Sequence, residues 1–248
     1  MTAMRMRKKK NLQKRLDGVG DYLIGVEREN LTVPELIWLT HPCADENAFE
    51  GEASFGVPPK KHPIDARELF GNGNPLHLEI GCGKGQFAVE AAKRNPKINF
   101  IAVEVNRSVI VQACEKAQRE KVPNLKFFMI GAEMLPIYIP KGSVDRIYLN
   151  FSTPFPKKSQ AKHRLTHENF LNVYKFLLSP GGEIFQKTDN AQLFEFSICE
   201  FSRCGFILSN VTLDLHTSDC EDNIITEYEE KFLRMGQPIF RLEAGLKP

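Results

Sequence analysis

The chain has 248 residues, 42% of them hydrophobic, which is enough for one large domain with a full core. No apolar stretch approaches the roughly 20 residues that cross a bilayer, and the basic N-terminus has no apolar signal segment, so a cytoplasmic protein without a membrane partner is expected. The formal net charge of +2 hides an asymmetry: of 33 Lys and Arg, seven (Arg5, Arg7, Lys8, Lys9, Lys10, Lys14, Arg15) precede the first acid, Asp17, leaving 26 basic against 31 acidic residues.

A basic arm without an apolar face points to a polyanionic partner, nucleic acid ahead of membrane; a solvated terminus is the plain alternative. The six cysteines form no C-x-x-C pair and have no histidines at zinc-ligand spacing, so no metal is expected. In chain order, residues 1–75 read as the arm, a short helix carrying Leu12, Leu16, Val19 and Leu23 at helical spacing, and a Pro- and Gly-rich connector around a short strand at 36–39. From Leu76 to the end, short apolar runs alternate with helical ones. Strands are predicted at 76–80, 99–104, 125–130, 144–150, 182–187, 206–213 and 230–240, and helices at 85–94, 107–120, 167–178 and 190–203, the third ended by Pro180-Gly181-Gly182. This is the pattern of an α/β domain over 76–248, a mostly parallel seven-stranded sheet with helices on both faces.

A strand that ends in Gly81-x-Gly83-x-Gly85 and enters a helix lets the backbone turn tightly and approach a nucleotide. The loop is not a P-loop, because Gly85 follows Lys84, and Gln86 stands where a dinucleotide fingerprint needs its third glycine. Glu104, at the end of the next strand, can accept from the two ribose hydroxyls of an adenosine. Glu79 narrows the choice, since a carboxylate there repels a pyrophosphate but suits the ammonium and sulfonium of S-adenosylmethionine. A nicotinamide cofactor is the competing reading, and a tight turn beside two solvated strand ends is the plain one.

Asn150-Phe151-Ser152-Thr153-Pro154-Phe155-Pro156-Lys157-Lys158 follows the fourth strand, at the sheet edge where open α/β folds bind ligands. Phe155 offers a flat face to a base, and Lys157, Lys158, Lys162, His163 and Arg164 offer phosphate contacts. A proline-rich turn next to a solvated charge run is the bland alternative.

With these residues the sequence resembles the bacterial tRNA (guanine-N7)-methyltransferase family. The likeness runs through Met4 to Lys8, Leu78 to Phe87, Tyr148 to Lys158 and on to Thr166, Lys187-Thr188-Asp189-Asn190, Asn223 to Phe232 and Gly236 to Ile239. It implies a Rossmann-like class I methyltransferase that moves a methyl group from S-adenosylmethionine, without a metal, to N7 of a guanine in the variable loop of tRNA, as a monomer or a homodimer. Carried over position by position, Glu79 and Glu104 match cofactor-binding acids, with Gly81, Gly83 and Gly85 as the loop. Lys157, Asp189 and the tetrapeptide Thr226-Glu227-Tyr228-Glu229 match tRNA-binding positions.

Two positions depart from the pattern. Gly131 stands where the family has an aspartate near the adenine, and Thr153 stands at the cofactor- and substrate-facing aspartate of an S-D-P-W segment, the catalytic position, with Phe155 in place of tryptophan. Glu133 is expected to compensate for Gly131, and Thr153 to impair turnover or shift base preference. A weakened or inactive tRNA-binding paralogue is therefore the alternative function. Thr226-x-x-Glu229 is also a capping box, and Asp189 could cap the helix that follows it.

Overall fold

The computed structural model describes residues 11–24, 63–218 and 223–246. The cations Arg5 to Lys10 and the strand expected at 36–39 lie outside the described residues. Strands β2 (Leu76–Ile80) and β3 (Asn99–Val103) are buried at every position, as strands covered on both faces must be. Around them stand β1 (Leu23–Ile24), β4 (Leu125–Phe128), β5 (Val144–Asn150), β6 (Leu178–Thr188), β7 (Phe206–Thr212) and β8 (Phe240–Leu246). They form one eight-stranded sheet in the order β1-β4-β3-β2-β5-β6-β8-β7, parallel except for β8, which runs antiparallel to both its neighbours.

Alternation along the strands divides the core in two. One face carries Leu78, Ile80, Ile147, Leu149 and Ile184 against α5 (Leu135–Tyr138), α6 (Glu168–Leu177) and α7 (Ala191–Arg203), where Tyr174 and Phe201 are fully enclosed. The other carries Phe100, Ala102 and Phe127 against α3 (Gln86–Arg94) and α4 (Arg107–Glu120), whose Ala88, Ala92, Ala113 and Ala117 allow close approach. Helices α4 and α7 start at side-chain caps: Asn106 accepts from Ser108 N at 3.0 Å and Asn190 from Leu193 N at 2.8 Å.

The α/β class and the parallel core agree with the sequence reading, and several elements differ from it. The sheet has eight strands, not seven. Helix α1 (Leu12–Asp17) ends before Gly18 and Gly20, and Leu23-Ile24 then pairs with β4. Leu16 and Val19 are buried in the α3–α4 core, and Arg15 bonds Glu115 at 2.6 Å, so the packed body takes in residues well before 76. Pro180-Gly181-Gly182 lies inside β6 and does not end α6, which stops at Leu177; the extra residues are absorbed where the register jumps from Val144↔Leu178 to Arg146↔Glu183. A β-carbon at Gly182 would meet the carbonyls of Ser179 and Val144 at 3.0 Å, so this bulge needs the glycine. The strand expected at 230–240 is replaced by helix α8 (Glu227–Arg234) followed by β8.

Candidate functional site

The carboxyl ends of β2, β3, β4 and β5 open into one cleft of about 870 Å³. Gly81 and Cys82 both donate to Val103 O, at 2.9 and 3.0 Å, which folds the loop over the end of β3. Gly81, Gly83 and Gly85 all have positive φ, +80°, +56° and +75°, a region that side chains rarely adopt. Gly85 carries a second constraint, since a β-carbon there would lie 2.7 Å from Ala113 Cβ and push α4 away. It therefore packs a helix and does not line the cleft.

Glu104 accepts from Gly83 N at 3.1 Å and from Asn106 N at 2.9 Å. The acid expected to hold a ribose thus also braces the glycine loop. Glu79 is 3% exposed; Asn150 Nδ2 donates to its Oε1 at 3.1 Å, while its buried Oε2 has no hydrogen-bond partner among the described residues. Burial pushes its pKa up to about 7, against the opposing effects of the Asn150 hydrogen bond, the Lys187 charge and the nearby Ala88 N–H at the start of α3, with the Glu104 charge adding to the rise.

The β5 loop forms the opposite wall. Phe151 and Phe155 hold φ of +51° and +44°, uncommon for bulky residues. Phe151 N is tied to Lys187 O at 2.8 Å, and its ring stacks on Tyr228 and Phe232 with centroids 6.2 and 6.3 Å apart. Thr153 is exposed on the cleft wall with Phe155 and His163. Arg164 is not a spare phosphate contact: it donates to Pro154 O at 3.0 Å and Phe155 O at 3.0 Å, and its guanidinium lies 4.4 Å from the Phe196 ring centroid. That corrects the sequence reading, because the planar fork is spent holding the loop.

The cleft brings together Glu79, Gly81, Gly83, Glu104, Gly131, Thr153, Thr226 and Tyr228. Lys157 and Asp189 lie outside its lining, and the cap of α7 is Asn190, one residue after Asp189. Thr226 caps α8 by accepting from Glu229 N at 3.0 Å, Glu227 opens the helix, and Tyr228 is 61% exposed at the mouth. Glu229 is fully enclosed and bonds Lys187 Nζ at 2.8 Å.

Sequence reasoning passed over Lys187. Its Nζ donates to Asn223 Oδ1 at 3.0 Å, Ile224 O at 2.9 Å and Glu229 Oε2, so one buried cation pins the 223–229 segment to the sheet. The apolar strand around it gave no sign of a buried charge. A second cavity, of about 1110 Å³, is lined by His77, Tyr148 and Phe185. Of its charged residues Arg146 pairs with Glu183 at 3.2 Å and Arg241 with Glu243, while Arg94 and Lys187 pair with Glu90 and Glu229 outside its lining, and the glycine loop takes no part in it.

Comparisons with known proteins fit this layout. Residues 73–242 match a family model described as "Putative methyltransferase". The tRNA (guanine-N(7)-)-methyltransferase of Listeria innocua is 52% identical over 203 residues, covering 82% of this chain and 95% of that protein. The enzyme of the same name from Bacillus licheniformis is 47% identical with the same coverage. Among solved structures, the 16S rRNA methyltransferase KamB superposes with a TM-score of 0.57 at 18% identity, covering 76% of this chain and 96% of that one. An antibiotic-related methyltransferase superposes with a TM-score of 0.55 at 16% identity, covering 80% and 97%. At that identity the likeness is one of fold, a Rossmann-like class I methyltransferase.

Proposed function

The chain belongs to the tRNA (guanine-N(7)-)-methyltransferase family, and from that membership we propose how its cleft moves a methyl group from S-adenosylmethionine to N7 of a tRNA guanine. It is an S-adenosylmethionine-dependent methyltransferase. The observation that carries the cofactor assignment is Glu79, a buried carboxylate with one oxygen unpartnered below a glycine-lined loop. An orphaned carboxylate suits an ammonium and is wrong for a pyrophosphate, which argues against the nicotinamide reading.

Glu79, Gly81, Gly83, Glu104 and the segment at Gly131 hold the cofactor, with Gly85 keeping α4 close behind the loop. When bound, S-adenosylmethionine supplies an activated methyl group. Guanine N7 is a bare lone pair, so no side chain has to remove a proton. What remains for the protein is orientation and exclusion of water. Thr153 keeps one oxygen able to accept from the guanine Watson–Crick edge, without the charge of an aspartate, and Phe155 and Tyr228 offer faces to a base drawn out of its stack. Lys157, Asp189 and Glu227 meet tRNA farther out, while Thr226 serves the substrate from the cleft wall by capping the helix that bears Tyr228. Glu229, enclosed against Lys187, serves the substrate by fixing the helix that bears Tyr228. The protein acts in the cytoplasm, clear of membranes, as a monomer or homodimer, with no metal in the reaction.

The test is mass spectrometry of nucleosides after incubating unmodified tRNA with the protein and S-adenosylmethionine. 7-Methylguanosine is expected, and Thr153→Asp should raise kcat by about 10², the scale of one preorganised polar group. No 7-methylguanosine from either protein would favour the binding-only alternative.

A further inference from the structure

Gly131 lies between β4 and α5 with φ −75° and ψ 149°, an extended conformation open to any residue. Backbone geometry therefore does not require a glycine here, and what a side chain would meet is the movable end of the exposed Glu133. An ideal β-carbon at Gly131 would sit 2.6 Å from both Cδ and Oε2 of Glu133, with Oε1 in contact as well. The Glu133 carboxylate is folded back into the volume that a side chain at 131 would fill. It lines the cleft, and it makes no hydrogen bond or ion pair with another described residue.

The sheet order fixes what that carboxylate faces. Moving outward across the strand ends, the cleft passes the β2 glycine loop with Glu79, then Glu104 at β3, then Gly131 and Glu133 at β4. A ligand with its ammonium at Glu79 and its ribose at Glu104 has only its base left to present at β4. Strands about 4.8 Å apart match the spacing of those parts. Val105, 67% exposed beside Glu104, and Ile130 add apolar surface for a flat ring.

We propose that Glu133 reads the base of the cofactor, its carboxylate accepting from the exocyclic amine of adenine, and that Gly131 is glycine because this reach from two residues on needs its space. The inference rests on the S-adenosylmethionine reading and adds a specificity residue to it. Residues 131 and 133 are mutually exclusive sources of one carboxylate, so substitutions at the two positions must be non-additive.

Calorimetry with S-adenosylhomocysteine and with S-inosylhomocysteine, which lacks the amine, tests this. The unaltered protein should prefer the adenine ligand by at least tenfold, and Glu133→Gln should weaken adenine binding about tenfold and erase the preference. Gly131→Asp alone should also lose affinity, since two carboxylates then compete for one space. The double variant G131D/E133A should return to within a few fold of the unaltered protein. Equal affinity for both ligands in the unaltered protein, undiminished binding and preference in Glu133→Gln, or additive effects in the double variant would overturn the proposal while leaving the cofactor reading intact. No binding of S-adenosylhomocysteine by the unaltered protein would overturn both.

Discussion

At the scale of single residues the cleft is governed by one unusual acid. Burial holds the Glu79 proton to about pH 7, while Asn150 and the Lys187 charge pull the other way. A cationic ligand at the orphaned Oε2 favours the carboxylate, so binding must expel a proton wherever the empty protein still holds it. The affinity for S-adenosylhomocysteine is therefore expected to be flat above about pH 7.5 and to weaken below 7, by up to about tenfold per pH unit. Calorimetry in buffers of different ionisation enthalpy at pH 6 should show up to one proton released. Glu79→Gln should bind more weakly at pH 8 and lose the pH dependence. An affinity that does not change between pH 6 and 8 would show that this carboxylate is not the one that meets the ligand.

At the scale of elements, the wall that faces the substrate is a loop held in a strained shape from outside. Positive φ at Phe151 and Phe155 costs on the order of 1–3 kcal/mol each, and such conformations persist only where surroundings over-determine them. Arg164 does this for the Pro154-Phe155 turn by bonding both carbonyls while stacking on Phe196 from α7. Arg164→Lys keeps the charge and loses the planar fork. It should raise the KM for tRNA and lower kcat about tenfold while leaving S-adenosylhomocysteine affinity unchanged; an equal loss in cofactor affinity would mean that the whole cleft had collapsed. In the sequence Arg164 read as one cation in a basic run, because sequence shows charge and not what the charge is bonded to. The central strands β2 to β6 and helices α3, α4, α6 and α7 were legible because each buries an apolar run of the length its period requires. Helix α8 was legible only at its start, where Thr226-x-x-Glu229 reads as a capping box, because its core-facing position is Glu229, neutralised by Lys187, and the 3.6-residue apolar period is missing. Strand β1 was hidden because Leu23 continues the helical spacing of Leu12, Leu16 and Val19, and two residues are too few to show alternation. Of the site, the glycine loop and the acids at the strand ends were plain, while the Asn150–Glu79 and Lys187–Glu229 contacts join residues far apart in the chain, which spacing cannot reveal.

At the scale of the whole molecule, two buried groups on β2 set opposing pH responses of stability. His77, ringed by Phe100 and Tyr148, has its pKa lowered to about 4, first by burial and then by the Arg146 charge, with Asp145 opposing. Its unfolded value of 6.5 is higher, so between about pH 4 and 6.5 the unfolded chain binds the extra proton. The contribution of His77 is thus present above 6.5 and lost as pH falls towards 4. Glu79 behaves oppositely: with a folded value near 7 against 4.5 unfolded, the folded state holds the proton, and its contribution is present below 4.5 and lost as pH rises through 7. Each slope is about 1.4 kcal/mol per pH unit where it is fully developed, and from pH 4.5 to 6.5 the two cancel. Denaturant unfolding across that range should therefore show little net dependence from this strand in the unaltered protein, and each variant should unmask the other group. Relative to the unaltered protein, His77→Gln should lose stability as pH rises and Glu79→Gln should gain it, by about 1.4 kcal/mol per unit in each case. Curves that stay parallel to that of the unaltered protein would mean that neither group keeps its displaced proton affinity in the folded state.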